Sequence, residues 1–173
     1  MNVLQLFKPI KAFALDIDGV LTDGSLLIMP GGEWVRRMNI KDGYALQLAV
    51  KKGYKIFIIS GASSTPVAER LGKLGIKEIH QGIHNKKQKL QELMSRYSLA
   101  ANEVLYMGDD IPDYDVMKTV GLPVCPLDAA EEIKQVAQYV SPIKGGEGCV
   151  RDVMEKVMKL NNHWEIDTAV ASQ

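Results

Sequence analysis

The sequence predicts an α/β fold in which a parallel sheet carries helices on both faces. Short apolar runs alternate with longer amphipathic stretches along nearly the whole chain, a pattern typical of strand–helix–strand units. Three of the amphipathic stretches are followed by a glycine, at Gly53, Gly75 and Gly121, where a helix commonly ends. In the last stretch, apolar residues recur with helical spacing from Val150 to Met158, which predicts a helix packed on the core.

The apolar runs and the stretches between them define twelve predicted elements. The six predicted strands are 12–16, 55–60, 78–80, 103–107, 122–125 and 139–140. The six predicted helices are 43–52, 65–74, 86–97, 114–120, 130–137 and 149–160. Because strands and helices alternate, we expect neighbouring strands to run parallel.

One segment interrupts this alternation just after the first predicted strand. Residues 25–29 and 33–39 flank the turn sequence Pro30-Gly31-Gly32. Two short extended runs joined by a glycine-containing turn predict a β-hairpin. The sequence therefore predicts a hairpin insertion over about residues 25–39.

The length of the chain is that of one domain with a proper core, at 173 residues. We expect that domain to occupy residues 1–160. Residues 161–173 have weak periodicity and are expected to form an extended or mobile C-terminal tail, with Trp164 as a candidate docking point.

The charge and the terminal sequence argue against several classes of protein. Lys plus Arg and Asp plus Glu both number 21, so the basic excess of a nucleic-acid binder is absent. Lys8, Pro9 and Lys11 interrupt the apolar stretches at the N-terminus, unlike a secretory signal, and no run approaches the roughly 18 apolar residues of a membrane span. Cys125 and Cys149 are interpreted as buried thiols in a reducing compartment. We therefore expect a cytoplasmic protein with no nucleic-acid or membrane partner.

Two carboxylates, Asp16 and Asp18, stand at the end of the first predicted strand. Side chains two residues apart on an extended chain point to the same side, and ligands of an open parallel sheet bind beyond the carboxyl ends of its strands. The pair is therefore placed where chemistry is expected. Taken alone, the motif fits equally well a loop closed by an Asx-turn.

Three further carboxylates, Asp109, Asp110 and Asp113, follow the predicted strand 103–107. Such a cluster repels itself unless a cation or several donors neutralise it. Oxygen ligands suit Mg²⁺, which binds few carboxylates together with substrate phosphate. The alternative is a helix N-terminus whose dipole favours acidic residues, a role open to Asp113. Two acidic strand ends in one parallel sheet favour the metal site.

Two other positions are candidates for holding phosphate. Ser60 ends the predicted strand 55–60, and Gly61 follows it before a helix; a hydroxyl with backbone N–H groups at a helix N-terminus can bind phosphate, although Ser is also an ordinary N-cap residue. Lys86 begins a later helix, where a lysine is usually solvated. Beside the acidic motifs it becomes a candidate counter-charge for phosphate.

These four elements, taken in order, resemble the haloacid dehalogenase superfamily of phosphatases. The order is DxDGV, a strand that ends in SG, an isolated Lys, and GDDxPD, from Asp16 to Asp113. The stretches DGVLTDG, NIKDGYALQLAVKKG, YMGDDIPD, GLPVCPLDAA and GGEGCVRDV are similar to the 3-deoxy-D-manno-octulosonate 8-phosphate phosphatases. The resemblance implies a Rossmann-like sheet and a Mg²⁺-dependent phosphomonoester hydrolase of lipopolysaccharide precursor synthesis.

The resemblance also implies a mechanism. Asp16 would attack phosphorus and form an aspartyl-phosphate. Asp18 would protonate the departing sugar oxygen as general acid and then serve as general base for the hydrolytic water. Ser60, Gly61 and Lys86 would hold the phosphoryl oxygens.

The same resemblance implies a ligand set for the metal ion. Mg²⁺ would be held by the carboxylate of Asp16, the backbone carbonyl of Asp18 and the carboxylate of Asp109. Asp110 and Asp113 would lie behind these ligands and orient metal-bound water or the lysine.

The chain has no room for a cap domain over the site. The gaps from Asp18 to Ser60 and from Ser60 to Lys86 are filled by the predicted elements, and even a small domain needs roughly 50 residues. The resemblance implies a capless homotetramer, and the unpaired hairpin edges could join those of other copies. We expect the active site at a subunit interface. The candidate substrate contacts, each also interpretable as a surface or helix-capping charge, are Arg36, Lys41, Asp42 and Arg151.

Three alternatives stay open at this point. Ala62 follows the SG turn, where the family often has Arg or another polar residue facing substrate, so the substrate could be a nonulosonate 9-phosphate. A catalytically silent scaffold of the same fold is the non-enzymatic alternative, and it is disfavoured by the presence of all four expected residues, Asp16, Asp18, Lys86 and Asp109. Phosphoryl transfer to an acceptor other than water is the third.

Overall fold

The computed structural model describes residues 3–170 and, within them, one six-stranded parallel sheet and one two-stranded hairpin. The strands in chain order are β1 (Ala12–Leu15), β2 (Leu27–Ile28), β3 (Trp34–Val35), β4 (Lys55–Ile59), β5 (Glu78–His80), β6 (Val104–Met107), β7 (Leu122–Cys125) and β8 (Tyr139–Val140). The sheet order is β5-β4-β1-β6-β7-β8, and β2 pairs with β3 alone. The predicted α/β fold, with its hairpin insertion and without a cap domain, is confirmed.

Seven α-helices accompany the strands in the described part of the chain, and five of them, α2 to α6, connect one strand to the next. They are α1 (Leu4–Phe7), α2 (Ile40–Lys51), α3 (Thr65–Lys73), α4 (Lys86–Arg96), α5 (Tyr114–Met117), α6 (Glu131–Val136) and α7 (Cys149–Leu160). Along β1, Phe13 and Leu15 belong to one buried cluster with α1, α2, α3 and α7, whereas Ala12 and Ala14 belong to a second cluster with α4, α5 and α6. Because side chains alternate along a strand, each face of the sheet packs against its own helices.

The order of the strands determines where a ligand can bind. β1 lies between β4 and β6 and is paired with both in parallel, so the chain crosses to one side after β1 and later to the other. The carboxyl ends of these three strands meet at this topological switch point, where open α/β sheets bind their ligands.

The start of α2 differs from the sequence prediction. The helix begins at Ile40 rather than at residue 43, because the side chain of Asn39 caps it by accepting the N–H of Lys41 at 2.8 Å. The second hairpin strand is correspondingly shorter than predicted and ends at Val35. The short helix α1 was absent from the sequence prediction.

The segment after α7 packs on the outside of α2. Trp164 meets the ring of Tyr44 edge-on, with 6.1 Å between centroids, and Lys51 Nζ pairs with Asp167 at 2.5 Å. The candidate docking point therefore contacts its own chain. Positions 171–173 of the predicted tail and positions 1 and 2 of the predicted domain lie outside the described residues.

Two further expectations concern membrane-spanning helices and the two cysteines. Within residues 3–170, none of the helices combines the length and apolar character needed to cross a membrane. Cys125 and Cys149 are buried free thiols, as the sequence predicts.

Candidate active site

The ends of β1, β4 and β6 and the first turn of α4 enclose a cleft of about 300 Å³. Most of the predicted site residues line it, although they come from four separate segments. Those in the wall are Asp16, Asp18, Ser60, Gly61, Lys86, Asp109 and Asp110, together with Gly19 and Ala62. A larger cavity of about 760 Å³ lies beside the hairpin and α3, and Arg36 lines it.

Three carboxylates converge at this cleft. Asp16, Asp109 and Asp113 each offer an oxygen, and these oxygens lie within 4.8 Å of one another. Asp16 is 7% exposed and Asp113 is fully buried. Because hard cations prefer oxygen ligands, the donor set fits Mg²⁺.

Lys86 is the cation that the chain itself supplies to this cluster. Asn85 caps α4, which places Lys86 in the first turn with its side chain buried. Its Nζ donates to Asp16 Oδ2 and to Asp113 Oδ1, each at 2.7 Å. A buried ion pair is stable only when its remaining hydrogen-bonding groups are satisfied, and the lysine achieves this by bridging two acids.

Asp113 is bonded on both oxygens by its own chain. Besides Lys86, it accepts from the hydroxyl of Tyr106 at 2.7 Å and from the backbone N–H of Asp109 at 3.1 Å. Asp113 therefore positions the lysine and the loop that carries Asp109. It lies behind the first two carboxylates, although the distances also group it with them.

The burial of like charges changes the acidity of the cluster. Burial and the charge of Asp113 raise the pKa of Asp16 to about 7. Burial and the charges of Asp16 and Asp113 raise the pKa of Asp109 to about 8. Burial lowers the pKa of Lys86, but the two acids beside it outweigh burial and raise it. The excess of negative charge is what a divalent cation would neutralise.

The loop after β1 reaches this cluster only because it contains Gly19. The backbone of Gly19 has φ +84°, and a Cβ there would lie 1.9 Å from Asp109 Oδ2. A second glycine supports the loop from outside, since a Cβ on Gly145 would lie 1.9 Å from the carbonyl oxygen of Gly19. This role of Gly145 is not among the features predicted from the sequence, in which the pair Gly145-Gly146 before α7 is the one signal for it.

Ser60 is buried at the end of β4 and anchored through its backbone. Its N–H donates to the carbonyl of His80 at 2.9 Å, and its carbonyl accepts the N–H of Ile83 at 3.0 Å. Residues 61–64 separate Ser60 from α3, so Ser60 is not the N-cap of that helix. Its position in the cleft wall therefore comes from the strand end and from these two backbone hydrogen bonds, not from a helix N-terminus.

The four candidate substrate contacts lie in different places. Arg36 Nε donates to Asp18 Oδ1 at 2.7 Å and Arg36 Nη2 donates to Asp18 Oδ2 at 3.1 Å, so this residue reaches the cleft. Lys41 is exposed in the first turn of α2 and does not line the cleft.

Asp42 and Arg151 connect helices instead. Asp42 is 1% exposed, and its Oδ1 accepts the backbone N–H of Arg151 at 2.7 Å, which leaves no surface for a substrate to contact. The Arg151 guanidinium lies over the rings of Tyr44 and Trp164, 5.7 and 5.2 Å from their centroids. The structure thus places both residues outside the cleft.

Comparison with known proteins agrees with this geometry. Residues 72–151 match the haloacid dehalogenase-like hydrolase family. The 3-deoxy-D-manno-octulosonate 8-phosphate phosphatase of Escherichia coli is 35% identical over 157 residues, which are 91% of this chain and 84% of that protein. This chain belongs to the 3-deoxy-D-manno-octulosonate 8-phosphate phosphatase family.

Solved structures of the family have the same fold. The Yersinia pestis phosphatase superposes with a TM-score of 0.90 at 32% identity, covering 93% of this chain and 87% of that one. The Moraxella catarrhalis phosphatase, solved in complex with magnesium, phosphate and KDO, superposes with a TM-score of 0.89 at 33% identity, covering 93% of both chains.

Proposed function

We propose that this chain is a Mg²⁺-dependent phosphatase that hydrolyses 3-deoxy-D-manno-octulosonate 8-phosphate. The observation that carries the proposal is the convergence of three carboxylates within 4.8 Å at the switch point of the sheet. Family membership supplies the substrate: the Moraxella relative holds magnesium, phosphate and KDO together.

The carboxylates of Asp16 and Asp109 and the backbone carbonyl of Asp18 would hold the cation. Both carboxylates line the cleft, whereas Asp113 is fully buried behind them and is not part of its wall. When bound between these residues, Mg²⁺ would neutralise the acids and would supply a positive charge to polarise the phosphoryl group.

The residues of the chain divide the reaction into two displacements. Asp16 forms a bond to phosphorus as the bond from phosphorus to the sugar oxygen breaks, and Asp18 gives that oxygen a proton. Asp18 then takes a proton from the water that attacks the aspartyl-phosphate, which releases phosphate and restores Asp16. Lys86 fixes the orientation of the Asp16 carboxylate throughout.

Ser60, Gly61 and Lys86 would bind the phosphoryl oxygens, since all three line the cleft. Hydrogen-bond donors that are fixed in advance around the phosphoryl group stabilise the charge that spreads over its oxygens in the transition state. Removing such a donor should therefore lower kcat more than it raises KM.

A nonulosonate 9-phosphate is the alternative substrate. Ala62 lies in the cleft wall, where its methyl group offers no hydrogen bond to distinguish one sugar acid from another. The two substrates share a carboxylate and a terminal phosphate, so the same catalytic residues could act on both.

Phosphate release tests the activity and the substrate together. We expect release from 3-deoxy-D-manno-octulosonate 8-phosphate that requires added MgCl₂ and is lost in Asp16→Asn, with a nonulosonate 9-phosphate hydrolysed more slowly. The matched control is Asp115→Asn, which removes an exposed carboxylate in the first turn of α5. Wild-type turnover by the Asp16→Asn protein would contradict the proposal.

We also propose a homotetramer with its active sites at subunit interfaces. The hairpin is a separate two-stranded sheet, and Leu27, Ile28 and Trp34 on it are 63%, 67% and 59% exposed. An isolated hairpin is marginally stable in water, and its unpaired edges can pair with those of another copy. The occupant of this apolar surface would be the hairpin of a second copy of the chain.

We also propose boundaries for the domain and a cellular location for the protein. A single catalytic domain over residues 1–160, followed by a tail over 161–173, accounts for a core that includes α7. A cytoplasmic location is in keeping with two free buried thiols.

A further inference from the structure

The hairpin contacts the catalytic cleft through one ion pair. Arg36, one residue beyond β3, donates to both oxygens of Asp18, at 2.7 Å from Nε and 3.1 Å from Nη2. Its Nη1 also donates to the carbonyl of Trp34 at 3.3 Å, which ties the guanidinium to the hairpin. Two parallel hydrogen bonds of this kind fix the plane of a carboxylate as well as its distance.

The burial of this pair distinguishes it from an ordinary surface ion pair. The side chain of Arg36 is 4% exposed, whereas that of Asp18 is 33% exposed. The neighbouring Arg37 pairs with Asp23 at 2.9 Å but is 73% exposed, and such surface pairs contribute little. The two arginines thus provide a part-buried and an exposed version of the same interaction.

The orientation of the Asp18 carboxylate depends on Arg36 rather than on hydrogen bonds from the neighbouring backbone. Asp18 lies in the loop after β1 with φ −72° and ψ 123°, between residues that form a helical turn. Within residues 3–170, both of the hydrogen bonds that its carboxylate receives come from Arg36. Without them, the carboxyl group would be free to rotate into the open cleft.

We propose that Arg36 is a positioning residue that holds the Asp18 carboxyl group in line with the sugar oxygen for proton transfer. The inference rests on the proposed function, in which Asp18 gives up a proton in the first displacement and takes one in the second. Arg36 itself neither gains nor loses a proton. When one oxygen of Asp18 carries the proton, the other still accepts from the guanidinium, so the carboxyl group keeps its position through both steps.

This role differs from the substrate contact that the sequence predicts for Arg36. A guanidinium that binds the substrate carboxylate would have to leave Asp18, and its loss would raise KM for acidic substrates alone. A positioning residue acts on the leaving group: its loss slows the departure of poor leaving groups, which need a proton, and spares good ones.

Two aryl phosphates separate these roles, because neither carries a carboxylate. The phenolate of phenyl phosphate departs poorly without a proton, whereas the nitrophenolate of p-nitrophenyl phosphate departs without one. For Arg36→Gln we expect kcat/KM to fall about 30-fold on 3-deoxy-D-manno-octulosonate 8-phosphate, a part of the 10²- to 10⁴-fold that a general acid contributes. The loss on phenyl phosphate should exceed the loss on p-nitrophenyl phosphate by about tenfold, since only the former needs the proton.

Matched variants exclude indirect causes. Arg37→Gln removes the exposed guanidinium next along the chain, and kcat/KM on all three substrates should be unchanged. Arg36→Lys keeps the charge and one hydrogen bond, and should recover part of the loss on phenyl phosphate. Thermal unfolding of each variant shows whether the fold is retained.

Two outcomes would overturn the inference. Equal losses on the two aryl phosphates would mean that Arg36 supports the fold of the cleft in general. A raised KM for the sugar acid phosphate with both aryl phosphates unaffected would make Arg36 a substrate ligand. If the wild-type protein hydrolyses aryl phosphates but not the sugar acid phosphate, the proposed substrate fails while the aryl comparison still tests Arg36.

Discussion

The site holds three acidic side chains and one lysine in a small buried volume. The acids are Asp16, Asp109 and Asp113, and the lysine is Lys86, so the acids outnumber the single basic group. The pKa of Asp16 is raised to about 7 and that of Asp109 to about 8, in both cases by burial first and by neighbouring acids second. The folded chain therefore favours any cation that binds between them. Metal binding should be measurable as stability, independently of turnover.

Added MgCl₂ should raise the Tm of the wild-type protein. At 100 times the dissociation constant a ligand adds about 2.7 kcal/mol of stability, which for a chain of this size corresponds to a shift of roughly 5–10 °C. Asp16→Asn and Asp109→Asn should lose most of that shift, and Asp115→Asn should keep it. Differential scanning calorimetry with and without MgCl₂ measures the effect; an undiminished shift in Asp16→Asn would contradict the assigned ligands.

At the scale of elements, α2 and α7 are joined at their N-termini by a buried carboxyl group. Asp42 lies in the first turn of α2 and accepts the backbone N–H of Arg151 in the first turn of α7. Its Oδ2 has no hydrogen-bond partner among the described residues. Burial raises the pKa of Asp42 to about 6, against the opposing effect of the Arg151 N–H and of the Arg70 and Arg151 charges. The ionised form therefore costs stability at neutral pH.

Replacing Asp42 by Asn should become less harmful as the pH rises. Because the pKa of Asp42 is higher in the folded than in the unfolded chain, its contribution is fully present below about pH 4 and is lost as the pH rises through about 6. A shift from 3.8 to about 6 corresponds to at most roughly 3 kcal/mol.

Urea unfolding at pH 4.5 and pH 7.5 checks this expectation. Relative to wild type, Asp42→Asn should gain about 2 kcal/mol between the two values. Asp115→Asn should show no comparable change, since that carboxylate is exposed. A difference for Asp42→Asn that is independent of pH would show that the carboxyl group does not titrate as described.

The loop between β8 and α7 packs against the loop after β1 and supports it. A methyl group on Gly145 would meet the Gly19 carbonyl oxygen at 1.9 Å, and this oxygen belongs to the backbone, so it cannot move aside as a flexible side chain could. Gly145→Ala should therefore displace the loop that carries Asp16 and Asp18. We expect kcat/KM to fall roughly 100-fold, as for a displacement of about 1 Å, and stability to fall by about 1–3 kcal/mol.

The control for Gly145→Ala is Gly72→Ala in α3. A Cβ at Gly72 meets nothing within 4 Å, and alanine favours a helix over glycine by up to about 1 kcal/mol. Activity should be unchanged there and stability unchanged or higher. Steady-state kinetics and urea unfolding on both variants make the comparison; equal activity in the two would mean that the loop can move without cost.

At the scale of the whole molecule, one side of the cleft is open and the hairpin beside it is apolar and exposed. The 760 Å³ cavity between the hairpin and α3 and the 300 Å³ cleft are connected through Arg36, which lines the first and bonds to Asp18 in the second. An event at the hairpin, such as assembly, can therefore reach Asp18 through one side chain.

Trp34→Glu should weaken assembly of the protein. A charge at the centre of an apolar interface between copies would be buried without a partner, at a cost of several kcal/mol, so we expect sedimentation velocity to show smaller species at micromolar concentration. Leu160→Glu, at an exposed apolar position on α7, should leave the assembly unchanged. A wild-type protein that sediments as an active monomer would refute the tetramer.

The amino-acid sequence determined those features that depend on neighbouring residues. The fold class follows from strand and helix periodicity, and the positions of Asp16 and Asp109 follow from the strands that precede them, because the end of each strand lies at the same edge of a parallel sheet. The start of α2 was misplaced because the cap at Asn39 competes with continuation of the hairpin strand.

Only the tertiary structure decided which distant groups meet. Arg36 and Asp18 are 18 residues apart, and Asp42 and Arg151 are 109 residues apart, so local patterns contain no information on either contact. The same holds for Gly145 against Gly19 and for Trp164 on its own chain. Such contacts depend on how helices and loops pack over the sheet, and that packing is fixed by the whole core rather than by any one segment.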